Sequence, residues 1–210
     1  MRFPTFGMGV LRRPRSPSRS ARPTLALPSR PVLRLPASAL RALVCASLAA
    51  GCSPAYNWRT VTDAGEGYTI ELPAKPTIDE RGVDIAGATL PMHVRAAHTQ
   101  GAVFAIAAID LPRDDAPLRE AVADALRSAL ARNVGASPVE HAIQVPLDGG
   151  AAVPGAELIV TGKAGQSRDQ RTIHAWIVGR GRHVYQAAIV SEHTPPQEQV
   201  EQFFGSLKLQ

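Results

Sequence analysis

Six histidines, two cysteines and several neighbouring carboxylates are the groups in this 210-residue chain with chemistry to offer. A strand that holds a metal ion does so with side chains on one face, commonly two residues apart. His93 and His98 are five apart, which points them to opposite faces. His174 and His183 share a face of one hairpin, but four residue steps of about 3.3 Å leave roughly 13 Å between them. His193 falls in a loop and His141 stands alone, so the spacing predicts no metal site and no cofactor. Nucleophilic hydrolysis has no Gly-x-Ser-x-Gly elbow, and Ser128, Ser137, Ser167 and Ser191 sit in no recognisable signature. Asp114-Asp115 reads as a helix cap and Asp79-Glu80 as a solvated edge, which leaves no catalytic residue to assign. A glycosidase-type carboxylate pair needs no sequence motif, so a periplasmic hydrolase stays as the alternative. The binding candidates are Arg180 and Arg182 at a basic hairpin tip near Arg168 and Arg171, and Trp176 with Tyr185 across the same hairpin. The tip could meet phosphates or an acidic partner, and the aromatic pair could form a ligand platform; packing against the core is the plainer role for the pair.

The cysteines carry the sharpest signal. They stand at 45 and 52, and none lies in 53–210, so the body has neither a disulfide nor a thiolate metal site. Residues 42–51 form an apolar run just after Arg34 and Arg41, too short for a membrane span of about 20 residues. Its end, Leu48-Ala49-Ala50-Gly51-Cys52, resembles the lipobox of bacterial lipoprotein precursors. The resemblance implies cleavage between Gly51 and Cys52 and lipidation of the Cys52 thiol. Val44 before Cys45 is too bulky for a competing cleavage there. Ser53 follows the cysteine, and by resemblance to the enteric sorting rule it implies the periplasmic side of the outer membrane, with the inner membrane as the alternative. Residues 1–31 are rich in Arg, Pro and Ser and cannot bury a core. They read as a disordered extension or as sequence upstream of a true start at Val32, which leaves 32–51 as the signal peptide.

Composition narrows the partners. The whole chain carries +5, but nine of its 23 basic residues and none of its acidic ones lie in 1–51. The remaining fourteen basic residues face 18 acidic ones, so the body carries −4 and lacks the concentrated positive field that nucleic acid requires.

The elements that must position these groups follow from periodicity. Residues 52–66 read as a tether packed down by Tyr56, Trp58 and Val61, and 67–210 as a single domain. Strands are predicted at 67–73, Thr77–Ile85, Thr89–His98, Ala102–Leu111, Ala156–Lys163, Asp169–Val178 and His183–Ser191. A helix over 117–134, capped by Asp114 or Asp115 and stopped at Gly135, buries Leu118, Val122, Leu126 and Leu130 with Ala121, Ala125 and Ala129. Leu147–Gly155 reads as a loop, a short helix follows at about 196–205, and Ser206–Gln210 closes as a strand or tail. Gly179-Arg180-Gly181-Arg182 as a four-residue turn sets Val178 opposite His183, Trp176 opposite Tyr185 and His174 opposite Ala187. The predicted class is α+β, an antiparallel sheet of about six to seven strands with one long and one short helix packed on it.

Cys52-Ser53-Pro54 with Tyr56 and Trp58-Arg59, then Gly67-Tyr68-Thr69, Leu72-Pro73 and Phe203-Phe204-Gly205-Ser206-Leu207-Lys208-Leu209, resemble a group of small proteobacterial lipoproteins of unknown function. The opening strand ending in proline and the closing Phe-x-x-Ser-Leu-Lys also resemble the PsbP-like fold. That resemblance implies a binding and assembly module with no shared catalytic set. The functional expectation is a non-catalytic, membrane-tethered module for an envelope protein partner. The other alternative is a small-molecule or metal carrier.

Overall fold

The computed structural model describes residues 56–164 and 169–210. The leader, Gly51, Cys52 and Arg168 lie outside the described residues. The elements run β1 (Arg59–Asp63), β2 (Tyr68–Leu72), β3 (Thr77–Ile85), β4 (Ala88–Thr99), β5 (Ala102–Asp110), α1 (Ala116–Val134), β6 (Val139–Pro146), β7 (Ala152–Ala164), β8 (Asp169–Arg180), β9 (His183–Ser191), α2 (Gln197–Gly205) and β10 (Lys208–Leu209). Seven strands form one antiparallel sheet in the order β3-β4-β5-β9-β8-β7-β6, and β1-β2-β10 form a smaller one. The α+β expectation holds at this level. The strand count exceeds the expectation, because β1, β6 and β10 complete two sheets.

Alternation along the central strands explains why the large sheet is covered on both sides. Phe104, Ile106 and Ala108 of β5 and Tyr185, Ala187 and Ile189 of β9 face a core shared with β2, α2 and Leu207–Leu209. Ile109 of β5 and Ile173, Ala175 and Ile177 of β8 face the other way, onto α1. Burying each such Leu, Ile or Val contributes about 1.5–3 kcal/mol, so both layers are needed to hold the sheet.

Local chemistry fixes α1. The Asp115 side chain accepts the Leu118 N–H at 3.0 Å, Pro117 stands in the first turn, and Gly135 at φ 64° ends the helix in the left-handed region. Its buried face is Val122, Ala123, Leu126, Leu130 and Val134, whereas Ala121, expected inside, is exposed. The helix lies close because β7 and β8 offer glycines beneath it. A Cβ on Gly162 would strike the Val134 carbonyl, and one on Gly179 would come within 2.7 Å of the Arg119 side chain.

Three sequence expectations are corrected. The tether contains a strand, with Arg59–Asp63 paired along β2 from Arg59↔Leu72 to Asp63↔Tyr68. The loop at Leu147–Gly155 shortens, because β7 already begins at Ala152 and pairs with a β6 that the sequence reading missed. In the β8–β9 hairpin the turn has two residues, Gly181 and Arg182, with Arg180 opposite His183 and Gly181 at φ 54°. Trp176 therefore faces Ala187, Val178 faces Tyr185 and His174 faces Ile189. The slip is two residues, so every side chain keeps its expected face.

Candidate functional site

Three neighbouring strands and one turn bring four ionisable groups together at one end of the large sheet. The β5–β9 register sets Asp110 directly opposite His183, and the β4–β5 register sets His93 opposite Ala108. Ala108 and Asp110 share a face, so His93, Asp110 and His183 project from β4, β5 and β9 onto the same side. Glu66 arrives from the β1–β2 turn, which folds over that side.

The turn is held from several directions. Asp63 accepts from the Glu66 amide at 3.3 Å and from Arg95 Nε at 3.1 Å, and Gln210 donates its amide to the Gly67 carbonyl. Tyr185 donates its hydroxyl to the Glu66 carbonyl at 2.6 Å. Burial alone would raise the Asp63 carboxyl. The Arg95 hydrogen bond and charge, with the Glu66 and Gly65 amides, bring it below its ordinary value.

Within the cluster, His93 Nε2 lies 3.6 Å from Glu66 Oε1 and 3.6 Å from Asp110 Oδ2. His183 Nε2 lies 3.0 Å from Asp110 Oδ1 and 4.0 Å from Glu66 Oε2. His93 Nδ1, on the outer side of its ring, is 3.8 Å from Glu80. Glu66 Oε2 and Asp110 Oδ1 are fully buried without a hydrogen-bond donor, since the short His183 approach is not aligned as a hydrogen bond. Burial, then the charge of Asp110, holds the Glu66 carboxyl above its ordinary value, with His93 opposing. Burial pushes the His183 imidazole down, against the pull of Asp110 and with Arg182 and His93 adding to the fall. Glu66, His93 and Asp110 each offer one ligand atom within 4.8 Å of the others. This arrangement can share a proton between carboxylates or hold a cation.

Sequence reasoning missed this site because it compared histidines along a strand or hairpin. The pair that converges lies two strands apart, on β4 and β9. Asp110 at the end of the apolar run of β5 was the available signal, since a carboxylate closing a central strand needs a partner.

The other histidines and the binding candidates are placed as follows. His141 does not stand alone: it lies 3.4 Å from Glu157, which also accepts from His174 at 2.7 Å and Trp176 at 3.0 Å. Trp176 stacks on Phe204 of α2 at 4.8 Å, and Tyr185 is buried beneath the β1–β2 turn. The two aromatics therefore pack into the core and do not form an exposed platform. Arg182 is exposed at the hairpin tip, while Arg180 is half-buried with one guanidinium nitrogen lacking a partner. Arg171 stands at the opposite end of β8, paired with Glu192, so the basic tip does not extend to it. No protein-family model matches this chain, and no curated protein matches it.

Proposed function

We propose that this chain is a lipid-tethered module of the bacterial cell envelope, held through Cys52 on the periplasmic side of the outer membrane, that binds an envelope partner and does not turn over a substrate. The observation that carries this reading is the order of Arg34 and Arg41, the apolar run and Leu48-Ala49-Ala50-Gly51-Cys52, followed four residues later by an aromatic anchor. Tyr56 stacks on Trp58 at 6.1 Å and meets Phe104 edge-on at 6.2 Å. Four residue steps of at most about 3.6 Å keep that anchor within roughly 14 Å of the lipidated sulfur. The domain then rides against the headgroups. Acyl chains supply the attachment at about 0.8 kcal/mol per buried methylene, so the −4 body needs no attraction to anionic lipid.

Binding is favoured over hydrolysis by where the groups stand. The half-buried ionisable cluster sits at the His183 end of β9, whereas a hollow of about 650 Å³ lined by Asp169, Gln170, Thr172, Glu192, His193 and Thr194 sits at the other end. Asp169, Glu192 and His193 in that hollow are exposed, without the buried surroundings that tune a catalytic group.

The test is mass analysis of the mature N-terminus from the native bacterium, with crosslinking in intact cells and pull-down of the lipidated form. A diacylglyceryl thioether on Cys52, fractionation with the outer membrane and a recovered envelope protein are expected. An unmodified sulfur or a retained leader overturns the tether, and recovery of no partner overturns the binding role.

A further inference from the structure

We propose that Glu66, His93 and Asp110 bind one zinc-type divalent transition cation, with His183 packed beside the Asp110 carboxylate. This inference stands on the folded domain and does not depend on the lipid tether.

The separations carry the argument. A four-coordinate ion with bonds of about 2.0–2.2 Å sets its ligand atoms roughly 3.4 Å apart. His93 Nε2 stands 3.6 Å from both Glu66 Oε1 and Asp110 Oδ2, close to that value and too long for a hydrogen bond. His93 thus converges on both carboxylates without hydrogen-bonding either. The far oxygens, Glu66 Oε2 and Asp110 Oδ1, are buried without an aligned hydrogen bond, although His183 Nε2 lies 3.0 Å from the second. Two carboxylates brought together out of water repel, and a divalent cation between them removes that cost.

Further polar groups stand next to the three ligands. A ligating histidine presents its second nitrogen to a carboxylate, which fixes the ring and its tautomer. His93 points Nε2 inward and leaves Nδ1 3.8 Å from the exposed Glu80 carboxylate, within reach of one rotamer change. His183 sits on Asp110 Oδ1, leaving Oδ2 to face His93. Glu66 is placed by a turn pinned through Asp63, Arg95 and Tyr185. Three protein ligands leave a further position for water or a ligand oxygen.

Donor chemistry selects the ion. One imidazole and two carboxylates without thiolate suit zinc and its neighbours, while calcium and magnesium prefer oxygen-only shells. The second histidine–carboxylate group differs on the decisive point. Glu157 already accepts hydrogen bonds from His174 and Trp176, and those bonds hold its carboxyl below the ordinary value against the opposing effect of burial. It has less capacity to give a cation.

The experiment titrates the untagged, full-length chain, freed of metal, with Zn²⁺ alone by calorimetry and with Co²⁺ by visible absorption. One ion per chain is expected, with Co²⁺ bands of a four- or five-coordinate nitrogen–oxygen site. His93→Gln and Asp110→Asn should abolish the stoichiometric ion, and His183→Gln should weaken it about 10–100-fold, as loss of an outer-shell partner does. His98→Gln, on the opposite sheet face, and His141→Gln, beside Glu157, should leave the titration unchanged. Glu66→Gln, on a turn, supplies a folded variant should a strand substitution fail by circular dichroism. Absence of saturable one-to-one binding overturns the proposal. So does full affinity in folded Glu66→Gln, or loss of the ion in His98→Gln or His141→Gln.

Discussion

Tyr185 does two jobs from one position on β9. Its ring packs edge-on against Tyr68 in the core, and its hydroxyl ends on the main chain of the turn that carries Glu66. Tyr185→Phe keeps the ring and removes only the donor, so the Glu66 carbonyl loses its partner at a cost of about 1 kcal/mol. Urea unfolding should show that loss as a lower midpoint with an unchanged slope, and the zinc affinity should fall with it. Glu157 gives a second measurement at this scale. Burial opposes its ionisation, yet hydrogen bonds from Trp176 and His174 and the charges of His174 and His141 hold its carboxyl below the ordinary 4.5. A carboxyl depressed in the native state contributes stability above its unfolded value, and that stability is lost as pH falls through the native one. Urea midpoints taken downward from pH 6 should therefore drop below about pH 4.5. Glu157→Gln should flatten that acid limb.

Among the elements, α1 depends most on what its neighbours lack. Gly162 lies under the last turn, where a methyl group would meet the Val134 backbone, and a backbone cannot rotate aside as a side chain can. Gly162→Ala should cost about 1–3 kcal/mol by overpacking, read as a lower midpoint in thermal or urea unfolding. The helix itself was legible, because Asp115, Pro117, Gly135 and the period of Val122, Leu126 and Leu130 agree on one answer. So were β2, β4, β5, β8 and β9, whose apolar alternation records burial on one or both faces; β3 was placed as well, without a buried residue to mark it. β6 was not, since seven of its eight residues face solvent at least in part and only Val145 is buried. β1 is short and half-exposed; β7 was read correctly over Ala156–Lys163, and only its first residues were missed, because Pro154 and Gly155 read as loop punctuation. The hairpin turn was misjudged because Gly179 looked like a turn residue. It is a strand residue kept small by Arg119. The ionisable site was illegible for a different reason: its members meet through strand order, and periodicity along one segment carries no record of which strands are neighbours.

At the scale of the molecule, a two-residue strand near Gln210 completes the small sheet. β10 joins β2 through Lys208↔Thr69 and Leu209↔Tyr68, and Leu207 and Leu209 are fully buried beside Phe203. Deleting residues 207–210 exposes that layer and frees one edge of the small sheet. Loss of two buried leucines predicts about 3–6 kcal/mol of destabilisation, enough to abolish a cooperative thermal transition in a marginally stable domain. Among the described residues, the large sheet, by contrast, ends in two outer strands. β3 lines one border and β6 the other, and β3 is solvent-exposed along most of its length, with Ile78 among its outward residues. An uncovered border of that length is a template on which a second copy could stack. Asp79, Glu80, Arg81 and Asp84 crowd it with charge, and like charges meeting across a new seam repel. A charged, exposed margin of this kind disfavours strand-by-strand stacking of one copy on another.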